Sequence, residues 1–147
     1  MSVIAVSCIE DIEERIKTVP AIGNRVFHVA SEDEIIEKTK GVSFPCVGVI
    51  YSGMTAINET GSSARMGQSA ELVVSILLFF RQDSRATNDP KDSTVAVLDE
   101  IRRKIMATKS PSNHYWRFKV EAAVEGGKGL MTYLQRWSTP VQLTPAN

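Results

Sequence analysis

From Gln68 to Phe80 the chain reads QSAELVVSILLFF, in which Ala70, Leu72, Val74, Ile76, Leu78 and Phe80 are all apolar while Ser69, Glu71 and Ser75 interrupt the alternate set. This two-residue period predicts a strand with one face in the core. At roughly 3.3 Å per residue such a strand reaches about 40 Å, more than a small domain needs. Its first part is therefore expected to project as an arm, together with the polar, glycine-bearing loop over residues 52–67 that leads into it.

Upstream, Ile4, Cys8, Ile12, Ile16 and Val19 recur at helical spacing opposite Glu10, Glu13, Glu14 and Lys17. The spacing predicts an amphipathic helix over residues 3–18, ended by Pro20. Residues 25–29 read as a short strand. Ser31-Glu32-Asp33-Glu34 then forms a capping-box pattern that opens a short acidic helix to Lys40. Pro45 leads into the strand CVGVIYSG, with Val47, Val49 and Tyr51 on one face.

Downstream of the long strand, residues 81–88 are polar and turn-like, and Asp89-Pro90 starts a helix that runs to about Ala107. Its apolar stripe is Val95, Leu98, Ile101 and Ile105, with Met106, and Arg102, Arg103 and Lys104 sit near its C-terminal end, where the helix dipole favours positive charge. Two final strands, HYWRFKVEAAV and LMTYLQRWSTPVQL, flank the hairpin glycines Gly126, Gly127 and Gly129. In the first, Trp116, Phe118, Val120, Ala122 and Val124 are expected to share a core face opposite Arg117, Lys119 and Glu121. The resulting order is αβαββαββ. It defines an α+β fold, a single mostly antiparallel sheet with helices packed on one face and a long projecting hairpin loop.

Composition fits one domain: 147 residues suffice for a sizeable core, and 43% hydrophobic with 23% charged residues are ordinary globular values. The net charge is zero but unevenly placed. Residues 1–73 carry 6 Lys and Arg against 10 Asp and Glu (−4), and residues 74–147 carry 11 against 7 (+4). Such a split suits head-to-tail contacts between copies, or is an accident of solvated faces. Cys8 and Cys46 are too few and too far apart for a disulfide framework or a zinc motif. They read as buried free thiols, which fits a reducing cytoplasm. The N-terminus lacks the basic leader of a secretory signal, and no window approaches about 18 uninterrupted apolar residues, so no contact with a membrane is expected.

Candidate chemistry is sparse. His28 and His114 have no HExxH pattern or cysteine pair around them, and no serine sits in a G-x-S-x-G elbow. The EGGKG segment lacks the order of a phosphate-binding loop and reads as a tight turn. No catalytic, cofactor or metal site is therefore expected. Arg102, Arg103, Lys104 and Lys109 could bind phosphates and Tyr115, Trp116 and Phe118 could stack bases, but zero net charge gives no sustained footprint for nucleic acid. The acidic stretch 31–37 reads as a solvated helix start or a partner-facing patch. The loop over residues 52–67 reads either as a flexible surface loop or as a contact that becomes ordered against a partner.

The GVIYSG to ELVVSILLFF hairpin, the DSTVAVLDEIRRKI helix and the closing WRFKVEAAVEGGKGLMTYLQRW hairpin give the chain a pattern that resembles the tail-terminator or tail-completion proteins of long-tailed bacteriophages. The resemblance covers nearly the whole chain. It implies a virion protein, made in the host cytoplasm, that forms a hexameric ring at the head-proximal end of the tail tube and ends tube polymerisation. Its implied partners are itself, the tail tube protein and the head–tail connector, with DNA only as cargo passing through the lumen. No cofactor follows from it. Subunit contacts are expected along the arm at Asn58, Glu59, Arg65 and Met66, and at Arg81 and Arg85 beyond the long strand. Other tube and neck proteins share the fold, and a small intracellular ligand-binding domain or enzyme, using a cleft between the last hairpin and the Val95 helix, is the alternative from another class.

Overall fold

A computed structural model gives the fold and describes residues 4–29, 34, 45–57, 67–81, 90–124 and 130–144. The elements are α1 (Ile4–Lys17), β1 (Val26–His28), β2 (Cys46–Ala56), β3 (Gln68–Arg81), α2 (Pro90–Ile105), β4 (Arg117–Val124) and β5 (Leu130–Leu143). The acidic helix expected over residues 31–40 lies outside the described residues, apart from Glu34, which is helical.

The five strands form one sheet in the order β1-β2-β3-β5-β4. Only β1 and β2 run parallel; the other three adjacencies are antiparallel. This is the expected α+β class. The even-numbered residues of β3, from Ala70 to Phe80, are all buried and meet Ile12 and Ile16 of α1 and Leu98, Ile101 and Ile105 of α2 in one core. Both helices thus cover the same face of the sheet. A smaller apolar cluster, built on Val29, Cys46, Leu77 and Phe79, occupies the reverse face near β1 and β2.

Three expectations are corrected by the geometry. First, β3 does not begin as a projecting arm. Its first residues pair with β2 on one side (Ala70 with Ala56, Glu71 with Thr55) and with β5 on the other (Gln68 with Leu143), and it is flanked on both sides from Ala70 to Phe79. The strand is long because the sheet is tall. Residues 52–56, assigned to the loop by their polarity, belong to β2, and Tyr51, which pairs with Val74 on the same face as Val47 and Val49, is 39% exposed past the end of β1.

Second, Phe118 is not core. A bulge between Phe118 and Val120 breaks the alternation of β4: Phe118 pairs with Trp137 on the helix side, whereas Val120 pairs with Arg136 on the reverse side. One extra residue moves every later side chain to the opposite face. Val120 and Val124 are consequently turned to the reverse face and exposed, and Phe118, still on the helix side, is 41% exposed at the sheet edge, while Trp116, just before the strand, is buried as expected. Third, Val95 faces solvent at 51% exposure, and Thr94 and Val97 are buried beside Leu98 and Ile101.

Two backbone details follow from local chemistry. Pro140 sits inside β5 without breaking it, because β4 pairs only as far as Ser138 and leaves that stretch of the outer edge without a ladder to serve. Gly67 enters β3 at a φ of 105°, and a Cβ there would lie 2.4 Å from the Leu143 carbonyl oxygen. Gly67→Ala is expected to cost about 1 to 3 kcal/mol by this combined strain and clash, measured by chemical denaturation. An unchanged midpoint would show that the hairpin base can shift to admit a methyl group.

Candidate assembly surface

Two polar networks fix the helices rigidly to the sheet. In one, Gln135 of β5 donates from Nε2 to the Leu98 carbonyl oxygen at 3.2 Å and to Glu121 Oε1 of β4 at 2.8 Å, and accepts at Oε1 from Trp137 Nε1 at 3.0 Å. Arg102 of α2 closes the network by pairing with Glu121 and with Asp99. Gln135 and Trp137, both fully buried, pack between α2 and the terminal hairpin, where the alternative reading expects a ligand cleft.

In the other network, Asp11 of α1 accepts from Trp116 Nε1 at 2.8 Å and from Arg15 Nε at 2.9 Å, while Arg15 also donates to the Lys109 carbonyl oxygen. This ties α1 to the segment that enters β4. Next to it, the hydroxyls of Ser110, Ser112 and Thr139 lie within 3.3 Å of one another, and Ser112 donates to the Pro140 carbonyl oxygen. A buried hydroxyl satisfied in this way acts as a fastener, since leaving it unpaired would cost more than the bond contributes.

The reverse face near β4 and β5 is charged. Arg117, Lys119 and Arg136 project there, and Lys119 Nζ lies 2.9 Å from Glu71 Oε1. Lys119, with the Ser138 hydroxyl, holds the Glu71 carboxyl below the usual carboxylate range. A depressed folded pKa contributes stability that is present above the unfolded pKa and lost as pH falls through the folded one. Glu71→Gln should therefore flatten the acid side of the stability–pH profile. An unaltered acid limb in urea melts would show that this pair contributes nothing.

Both cysteines are free and buried, as expected. Burial pushes each thiol up to about 11, reinforced at Cys8 by Asp11 and opposed at Cys46 by Arg25. Folded protein at pH 8 is expected to be inert to a thiol-reactive chromogen and to expose two equivalents on denaturation. Rapid labelling of the native state would contradict this burial.

Of the residues expected at subunit contacts, Asn58, Glu59, Arg65, Met66 and Arg85 lie outside the described residues, and Arg81 is the last residue of β3. Sequence reasoning did not single out β4 as a surface. It is an edge strand, all but one of its residues are exposed, and Phe118, Val120 and Val124 present apolar groups there. The exposure of its apolar residues depends on the bulge and the edge position, and neither leaves a mark in a pattern of apolar and charged residues. Among the described residues no three His, Cys, Asp or Glu side chains come together as metal ligands, and no helix is long and apolar enough to cross a membrane.

No protein-family model and no curated protein matches the chain. Solved structures do. A chain from the virion of a native gene transfer agent particle superposes with a TM-score of 0.67 over 97% of this chain and 99% of its own length. The two are 9% identical in sequence. The likeness is thus one of fold, and it extends over the whole unit rather than a shared fragment.

Proposed function

We propose that the chain is a structural protein of a phage-like virion, forming a closed ring at the head-proximal end of the tail tube. There it ends tube growth and offers the surface that the head connector joins. The observation that carries this reading is the end-to-end likeness in fold to a chain of a virion particle. The packing agrees with it: both helices are bolted to a tall sheet by half-buried polar networks, leaving a firmly packed block with an exposed edge strand. A rigid block loses little freedom on assembly, so more of its contact energy appears as affinity.

A ring requires two unlike surfaces on each copy, and closure rather than a filament follows when the rotation between copies closes. Six-fold closure is the expected symmetry. The loop over residues 58–66, with Arg81 and Arg85, is proposed to reach a neighbouring subunit. Exchanging that loop for a short Gly/Ser linker should leave the melting temperature nearly unchanged while abolishing assembly, because loop length contributes little to stability.

The experiment is native mass spectrometry and negative-stain imaging of the full chain, alone and with tail tubes that lack their terminal ring. Closed rings, or tubes capped at one end, are expected. A chain that stays monomeric in both preparations and leaves tube ends bare would overturn the proposal.

A further inference from the structure

We infer that successive copies of this chain dock side to side, the basic β4–β5 end of one sheet meeting the acidic α1–β2 end of the next. The inference rests on the ring reading and names the faces that build the ring.

Among the described residues the sheet has two lateral ends that no further strand covers, and they differ. At one end β4 hydrogen-bonds to β5 alone, leaving the outward backbone groups of eight residues free of any ladder among the described residues. At the other end β1 covers β2 only at Val47, Val49 and the glycine between them. Residues 50–56 of β2 are thus paired, among the described residues, on the β3 side alone, and their burial falls off where β1 stops. Exposed edges of this length are templates for another strand.

Each end also carries apolar surface and an opposite charge. The β4 end exposes Phe118, Val120 and Val124 beside Arg117, Lys119 and Arg136, with Glu71 the acidic group among them already held by Lys119. The other end exposes Val6 and Tyr51 beside Glu10, Glu13 and Glu14. Lys17 pairs with Glu14 there at 3.3 Å, and Glu13 faces the β1 side, where His28 acts on it. Among the described residues, the basic side chains of β4 and β5 and the acidic side chains of α1 thus lie toward opposite lateral ends of one sheet.

The bulges explain why such edges do not pair indiscriminately. One lies in β4 between Phe118 and Val120, and one in β2 between Tyr51 and Gly53. A bulge discourages a chance strand, more so in β4 where Arg117 and Lys119 flank it, and complementary charge then selects the partner and its orientation. Because the ends are unlike, the contact is head-to-tail, as a ring requires. Two like ends would meet with repelling charge.

The test uses paired charge reversals in the full chain. Arg117→Glu with Lys119→Glu makes both ends acidic, and Glu10→Lys with Glu14→Lys makes both ends basic. Each double variant should assemble at least about 100-fold more weakly than wild type, read by native mass spectrometry, with folding verified by circular dichroism. Mixing the two should restore closed rings of alternating, equal stoichiometry, because every junction then joins acid to base. A chain carrying all four reversals should assemble alone.

Wild-type rings alongside undiminished assembly of the double variants would overturn this interface and leave the ring reading standing. Failure of the folded variants to recover on mixing would also overturn it. A wild-type chain that never assembles would remove the ring reading itself, and this interface with it. Should a reversal prevent folding, salt provides an independent measure on wild type. Raising ionic strength from 0.1 to 1 M shortens the screening length from about 10 to about 3 Å and should dissociate the rings, and salt-indifferent rings would overturn the charge pairing.

Discussion

Trp137→Ala is expected to lower the unfolding free energy by about 3 to 5 kcal/mol, the range for removing a large aromatic from a close-packed core. Trp137 is fully buried in the middle of β5, lies edge-on to Phe118 with ring centroids 5.4 Å apart, and donates its indole N–H to Gln135. Truncation therefore opens a cavity and deprives the Gln135 amide oxygen of a donor. Equilibrium urea unfolding measures the change. Phe118→Ala provides the contrast from the same ring pair: at 41% exposure it should cost about 1 kcal/mol. A Trp137→Ala cost as small as that would mean that β5 presents its other face to the helices.

Glu121→Leu should be the next most damaging change, at about 1 to 3 kcal/mol. Glu121 is the shared acceptor of Arg102 from α2 and Gln135 from β5. Removing it takes one of two acceptors from both a guanidinium and an amide in a half-buried setting, leaving Arg102 with Asp99 and Gln135 with the Leu98 carbonyl oxygen. Glu121→Gln keeps an oxygen acceptor and should cost less than half as much. A double-mutant cycle with Arg102→Met isolates the coupling. Strictly additive costs would show that the pair, although adjacent, does not act together.

These two effects come from positions that the residue pattern treated differently. Trp137 lies in a run recognisable as strand, and the register of β5, which sets it opposite Val74, puts it in the core. Glu121 reads as a solvated residue on a charged face, because nothing local announces that Arg102, nineteen residues earlier, turns toward it. Buried polar partnerships are long-range facts. They become visible only when the helix is laid on the sheet.

The residue pattern by itself determined the α+β class, the phase of β3 and the buried face of α1. Each depends on a short periodic run: alternate apolar residues can be buried together only in a strand, and apolar residues three and four apart only in a helix. The free, buried state of Cys8 and Cys46 followed from their spacing and their apolar neighbours.

The tertiary structure alone decided which strands lie at the edges, because strand order depends on pairings between residues far apart in sequence. It placed β3 in the centre, so that the segment expected to project as an arm is flanked on both sides. It also decided the phase of β4, where one unpaired residue after Phe118 turns an apparent core face outward. Finally, it set the acidic residues of α1 and the basic residues of β4 and β5 toward opposite ends of the sheet, since the direction in which a charge points is fixed by the elements it is packed against.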